Sequence, residues 1–266
     1  MTESIEHLDD PRVASYAHVG DHAWLRAHGV FVAEGRLVVE RLVEERRFAV
    51  ESLLLTPAAH VSLGDALTSL SAPIYICSQQ VLNTLTGFDF HRGCLALAHR
   101  GDPLVPIDSL AGSRLIIALE GMANPDNIGG IFRNALALGA DGVILDQATG
   151  DPLYRKAIRT SMGATLRVPF ARMDNWPAGL AQFREAGFTI VALTPATDAA
   201  DINALAGSRF PGPLMLLAGH EGHGLTEAAI SAADVRCRIP VEPRSDSLNV
   251  AVAVGIALAM IHHGSR

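Results

Sequence analysis

Five short apolar runs in the second half of the chain set narrow limits on its fold. They are RLIIALEG (114–121), GVILD (142–146), TIVALT (189–194), PLMLLAG (213–219) and VRCRIP (235–240). A strand with one wet face alternates apolar and polar residues. Nearly continuous runs rich in Ile, Val and Leu fit parallel strands covered on both faces. The segments between them are long enough for helices, so the pattern predicts an open parallel α/β sheet. The last stretch, SLNVAVAVGIALAMIHH (247–263), predicts a helix buried on most sides, with Gly255 marking a close helix contact.

The first part alternates in the same way. VFVAE from Val30 reads as a strand, and GRLVVERLVEERR as a helix with an apolar stripe of Leu37, Val38 and Leu42. FAVESLLL, PIYIC and CLALAH read as further strands. A Gly/Pro break at His99–Pro103 divides the chain into a small α/β domain (1–104), a linker (105–111) and a larger α/β domain (112–266).

Composition excludes several classes. With 49% hydrophobic and 18% charged residues, the chain is not dominated by disorder. Ser247–Ile261 is too short and too Asn-interrupted for a membrane span, and the acidic MTESIEHLDD has no apolar signal core. Cys77, Cys94 and Cys237 are dispersed and odd in number, so they read as buried thiols in a cytoplasmic protein. A net charge of −7 argues against nucleic-acid binding by bulk electrostatics. A local patch is still allowed. Arg155, Lys156, Arg159, Arg167 and Arg172 form a basic run with no acid among them, which predicts phosphate contact over a plain solvated face.

Three clusters carry candidate chemistry. Asn124–Ala135 (NPDNIGGIFRNA) follows a strand and opens a helix, with Asp126 or Asn127 as its expected cap. Gly129 and Arg133 share a face one turn apart, and Arg133 is a lone charge among Ile131, Phe132, Leu136 and Leu138. It reads equally as a ligand contact or a snorkelling surface arginine. The second cluster, Gly219-His220-Glu221-Gly222-His223-Gly224-Leu225, follows another strand, where ligands gather in open α/β sheets. Its glycines permit close ligand approach or merely a flexible turn. His220 and His223 lack a third ligand nearby, so no metal is expected. The third cluster pairs Ile239-Pro240-Val241 with Ser247-Leu248-Asn249-Val250-Ala251, Asn249 being expected inside the first turn of the last helix. There is no dinucleotide fingerprint, Walker lysine or nucleophile elbow.

Together and in order, the three clusters resemble the motifs of the SpoU/TrmH family of RNA ribose 2′-O-methyltransferases, in the SPOUT superfamily. Asn127-x-Gly129-x-x-x-Arg133-x-Ala135 matches the first motif. Gly219-x-Glu221-Gly222-x-Gly224-Leu225 matches the second, and Ile239-Pro240 with Ser247-Leu248-Asn249-Val250 the third. Phe31-Val32-Ala33-Glu34-Gly35 with Val38-Val39 resembles the opening of the ribosomal-protein-like substrate-binding domain that such proteins often carry. Ala251 departs from the small hydroxyl residue common there.

The resemblance implies a C-terminal trefoil knot, a homodimer, and S-adenosylmethionine as cofactor. It implies cofactor loops at Leu193-Thr194-Pro195, Gly219-His220-Glu221-Gly222, Ile239-Pro240-Val241 and Leu248-Asn249-Ala251. It also implies catalytic roles for Arg133, Asn127, Glu221, Ser247 and Asn249, and an RNA substrate, tRNA or rRNA. A guanidinium holds its proton too firmly to serve as a base, so Arg133 is expected to hold a phosphate and stabilise the developing alkoxide, oriented by Glu221. Two other readings stay open: a non-catalytic RNA-binding protein that kept the fold, and a Rossmann-type nucleotide enzyme.

Overall fold

A computed structural model describes residues 2–87, 89, 93–102, 104–206, 212–242, 244–245 and 247–264. Contacts divide the chain into two compact units, Met1–Pro103 with Leu153–Arg167, and Leu104–Pro152 with Val168–Arg266.

The first unit holds a five-stranded sheet in the order β1-β4-β3-β5-β2. Its strands are β1 (Thr2–Ser4), β2 (Val30–Glu34), β3 (Val50–Leu55), β4 (Ile74–Ile76) and β5 (Cys94–His99). β5 runs antiparallel to β2 and β3, while β4 pairs parallel with β1 and β3. Tyr16, Leu54, Leu95 and Leu97 are among its core residues. Helix Arg36–Glu45 buries Val38, Val39, Leu42 and Val43, while Leu37 stays exposed. The apolar stripe is therefore rotated from the one expected, because 38, 39, 42 and 43 align better at helical spacing.

Leu153–Arg167 packs with this first unit, although the chain break near 104 had assigned it to the second. Helix Arg155–Thr160 lies against β2. Arg155 Nη1 sits 3.0 Å and Arg159 Nη1 3.6 Å from the buried Glu34 carboxylate, and Arg167 Nε is 2.5 Å from Glu45. The basic run therefore has acidic partners. They come from more than a hundred positions away, where a local count of charges cannot see them.

The second unit holds seven strands: β6 (Leu115–Leu119), β7 (Gly142–Leu145), β8 (Phe170–Arg172), β9 (Thr189–Leu193), β10 (Ala200–Asp201), β11 (Leu214–Ala218) and β12 (Val235–Arg238). Their order is β10-β12-β9-β11-β6-β7-β8 and every pairing is parallel. The five apolar runs form β6, β7, β9, β11 and β12. The two strands with no sequence signal, β8 and β10, have three and two residues. The segment expected as a linker contains a 3-10 turn, Ile107–Leu110, that buries Leu110 in this core with Ile116, Ala118 and Ile144. All three cysteines are free and buried, and burial pushes the Cys94 thiol up to about 12. No helix among the described residues is long and apolar enough to cross a membrane.

Candidate active site

β6 and β11 are neighbours, and the sheet is extended on opposite sides of that pair, by β7 and by β9. This is the topological switch point of an open parallel sheet, where a crevice forms beyond the carboxyl ends of the strands. The first cluster leaves β6 and the second leaves β11, so two segments nearly a hundred residues apart emerge side by side. The loops after β9 and β12 leave from the next two strands.

Helix Pro125–Ala137 starts after β6. Its cap is Asn124, whose Oδ1 accepts from the Asp126 amide at 2.9 Å. Asp126 and Asn127 had been expected in that role. Pro125 explains the shift, since its fixed φ and missing N–H suit the first helical position. Asn127 is freed from capping and buried. Its Nδ2 donates to Glu221 Oε1 at 2.8 Å, and the Asn124 amide donates to the same oxygen at 3.3 Å.

The polar chain continues. Asn249 Nδ2 donates to Asn127 Oδ1 at 2.8 Å, and Asn249 Oδ1 accepts from the amides of Ala251 (3.0 Å) and Val252 (3.3 Å). A carboxylate can only accept, so it turns the Asn127 amide group toward it. That leaves Asn127 Oδ1 for Asn249, and Asn249 Oδ1 for the helix. One directional relay thus joins all three clusters. Asn249 sits just before helix Val250–Gly264, as its cap, and not inside its first turn.

Glu221 is an exposed residue whose side chain is 26% exposed. Desolvation pushes its carboxyl up, but the hydrogen bonds from Asn127 and from backbone amides outweigh this, holding it below the ordinary glutamate value. It is committed to Asn127 and Asn124, so it does not orient Arg133 as expected. Arg133 is exposed and makes no hydrogen bond or ion pair with any described residue.

The Gly-rich segment is a closed turn. The Gly224 amide donates to the His220 carbonyl at 3.0 Å, and the Gly222 amide to His220 Nδ1 at 2.8 Å. The His220 and His223 rings stack at 4.1 Å. A Cβ on Gly219 would lie 2.3 Å from backbone atoms of Gly224 and Leu225. Glycine at 219 is therefore required by the turn's own packing. Among the described residues, no group of three or more His, Cys, Asp or Glu could hold a metal ion.

The other sites lie on neighbouring loops. Leu193 ends β9, and the Thr194 amide donates to the Cys237 carbonyl of β12 at 2.9 Å, with Pro195 next in the loop. Ile239, Pro240 and Val241 leave β12. Ser247 and Leu248 are exposed, Ser247 accepting through its carbonyl from Ser245 Oγ at 3.3 Å. Gly130 and Gly255 let the first-cluster helix and the last helix meet. A Cβ on Gly130 would come within 2.9 Å of the Ala251 methyl, and one on Gly255 within 2.8 Å of Asn134 Nδ2. Asn134 Nδ2 donates to the Ala251 carbonyl at 2.7 Å. Ala251 therefore works through its backbone and its small size. Neither Asn134 nor Glu120, which follows β6, carries a sequence signal of its own. Glu120 accepts from Trp176 Nε1 (2.7 Å) and from the Thr226 amide and hydroxyl (2.8 Å each), fastening the turn after the Gly-rich segment.

Residues 114–259 match the model of the SpoU rRNA Methylase family. An uncharacterised tRNA/rRNA methyltransferase of Mycobacterium bovis is 41% identical over 226 residues, covering 85% of this chain and 78% of that protein. Among solved structures, the AdoMet-bound rRNA methyltransferase of Sinorhizobium meliloti superposes with a TM-score of 0.81 at 24% identity, covering 98% of this chain and 97% of that one. An RNA 2′-O ribose methyltransferase superposes at 0.80 with 23% identity, covering 99% of each chain.

Proposed function

Because the chain belongs to the SpoU rRNA methylase family, we propose that it transfers a methyl group from S-adenosylmethionine to a ribose 2′-hydroxyl of a structured tRNA or rRNA. The observation that carries this reading is the relay Glu221–Asn127–Asn249. It ties the three motif clusters into one rigid unit beyond the strand ends of the switch point. Relatives named as tRNA/rRNA methyltransferases support the substrate class, and the structural likeness to a 2′-O ribose methyltransferase supports the acceptor atom.

The residues present fit the cofactor. The segments Leu193–Pro195, Gly219–Gly222, Ile239–Val241 and Leu248–Ala251 offer backbone groups and small side chains, with Val241 and Leu248 exposing apolar surface at 36% each. Such loops suit a ligand with an aromatic base and a short sulfonium-bearing amino-acid chain whose polar groups are met by backbone atoms. When bound, the cofactor supplies an electrophilic methyl group and a neutral leaving sulfide. The protein's share is positioning. Arg133 holds a phosphate of the RNA and stabilises the alkoxide as the 2′-hydroxyl loses its proton. Asn127 and Asn249 keep the loops in register, Glu221 anchors them, and Ser247 contributes a hydroxyl at the entry to the last helix.

The finer architecture belongs to the same proposal. The C-terminal segment threads a trefoil knot, and the first unit is a ribosomal-protein-like substrate domain. Lys156 and the part-exposed Arg155, Arg159 and Arg167 guide phosphates there, beyond their pairing with Glu34 and Glu45. Two copies form a dimer through the helices Pro125–Ala137 and Val250–Gly264, where Leu136 and Val252 are 37% and 51% exposed.

The test is mass mapping of 2′-O-methyl sites in RNA from cells with and without the protein, alongside calorimetry with S-adenosylhomocysteine. One site lost with the protein, and one cofactor site per chain, are expected. An unchanged methylation map together with no S-adenosylhomocysteine binding would overturn the reading.

A further inference from the structure

Two imidazoles, those of His220 and His223, stand on the Gly-rich turn after β11, and none of the roles assigned above uses either ring. His220 is fixed by its neighbours. The Gly222 amide donates to its Nδ1 at 2.8 Å, so a neutral His220 carries its proton on Nε2. That Nε2 lies 4.0 Å from Glu221 Oε2. The side chain also lies against the loop leaving β6, where a Cβ built on Gly121 would be 3.7 Å from the His220 Cβ. The ring therefore stands between the exits of β6 and β11, at the switch point.

His223 lies on that fixed ring. The two planes are 12° from parallel, with centroids 4.1 Å apart. His223 is exposed, and among the described residues its nitrogens make no hydrogen bond and no other ring meets it. One flat face is thus covered and the other is presented to solvent. A surface histidine ordinarily turns freely about its side-chain torsions, and a ligand must halt that motion to stack on it. Here the pairing with His220 has already restrained the ring, so binding loses less entropy. The turn beneath is itself closed, by the Gly224 amide donating to the His220 carbonyl at 3.0 Å.

We propose that the target nucleotide of the RNA leaves its own stack and lays its base on the open face of His223, which makes His223 a positioning residue for methyl transfer. The glycosidic bond joins the base to C1′, next to the carbon that bears the reacting hydroxyl. Wherever the 2′-hydroxyl meets the methyl donor, the base is therefore one sugar away. The proposed cofactor loops gather at the same switch point as His223, so a ribose brought to them carries its base to that turn. A base paired in a duplex is held between its neighbours and cannot follow. An unpaired base in a loop or bulge can be splayed out, and it then needs a new stacking partner. An imidazole offers a flat aromatic face, and such stacking tolerates any base because every base has a π-face. The inference rests on the ribose methyltransferase reading for its substrate.

The experiment compares wild type, His223→Ala and His223→Phe in methyl transfer from S-adenosylmethionine to total RNA from cells lacking the protein. His223→Ala is expected to raise the KM for RNA by about tenfold or more, the effect of one lost base–aromatic stack, with a smaller loss of rate at saturating RNA. His223→Phe keeps the flat face and removes both nitrogens, so it should recover most of that loss. S-adenosylhomocysteine affinity, read by calorimetry, should match the wild type in both variants and so reports an intact turn. An unchanged KM in His223→Ala overturns the stacking role. So does a His223→Phe variant as defective as His223→Ala with cofactor affinity intact, because a ring nitrogen and not the ring face would then matter. Loss of cofactor affinity in both variants also overturns it, by assigning His223 to the fold of its turn. These three outcomes leave the methyltransferase reading standing. A wild type that methylates none of this RNA overturns that reading, and the role of His223 falls with it.

Discussion

Arg133 is exposed and, among the described residues, unpaired, which is what a group reserved for a transition state requires. An interaction that appears only as charge develops raises turnover without tightening the ground state. Arg133→Ala is expected to slow single-turnover methylation by about 10²–10³-fold at saturating RNA. S-adenosylhomocysteine affinity should stay near normal, since the proposed cofactor loops follow β9, β11 and β12. Arg133→Lys should rescue poorly, because an ammonium lacks the planar fork. Loss of cofactor affinity as the main defect would reassign the residue. Glu221 behaves differently. Its folded carboxyl sits below the ordinary value, so the stability it contributes is full above the unfolded value of about 4.3 and is lost as pH falls through the folded value. Glu221→Gln keeps an acceptor for Asn127 but has no charge to lose. Urea midpoints measured from neutral pH downward should fall more steeply below about pH 4.3 in the wild type than in the variant. Parallel curves would show that Glu221 is not linked to folding.

Two glycines show how packing decides the outcome at the scale of an element. Replacing a mid-helix glycine by alanine ordinarily gains up to about 1 kcal/mol. At Gly255 the new methyl would press on Asn134, 2.8 Å away, and disrupt its bond to the Ala251 carbonyl. Crowding of about 1–3 kcal/mol and a lost part-buried hydrogen bond outweigh the propensity gain. Gly255→Ala should therefore lower the urea unfolding free energy by about 1–2 kcal/mol; a stabilised variant would mean that the two helices can move apart freely. Gly219→Ala is more severe locally, because the clash at 2.3 Å is with backbone that no rotamer change relieves. It should abolish S-adenosylhomocysteine binding in calorimetry while the first unit's circular dichroism and core packing persist. Normal affinity would show that the turn re-forms around a side chain.

At the scale of the molecule, the proposed dimer rests on the family resemblance and on apolar surface left exposed by the two packed helices. Val252 and Leu136, 51% and 37% exposed, are the apolar residues these helices present to solvent. Light scattering at micromolar concentration should give twice the mass of one chain, and Val252→Glu with Leu136→Glu should shift it toward one. An active monomer in the wild type would contradict the dimer.

Much of this molecule is written locally. The five apolar runs determine five parallel strands, because a side chain's hydrophobicity and the strand period act over neighbouring positions. Part of the three clusters is legible for a similar reason: Asn124, Pro125 and Gly219 each meet a need of their own turn or cap. What the sequence could not disclose depends on partners distant along the chain. Asn249 caps a helix as any asparagine might, yet its other amide atom reaches Asn127, 122 positions away. Glu221 turns to Asn127 and not to Arg133. Asn134 matters only because Gly255 passes beside it. The basic run from Arg155 appeared uncompensated until β2 brought Glu34 against it. Charge pairing, helix contact and amide orientation act over a few ångströms of space whatever the sequence separation, so they were decided only when the chain closed on itself.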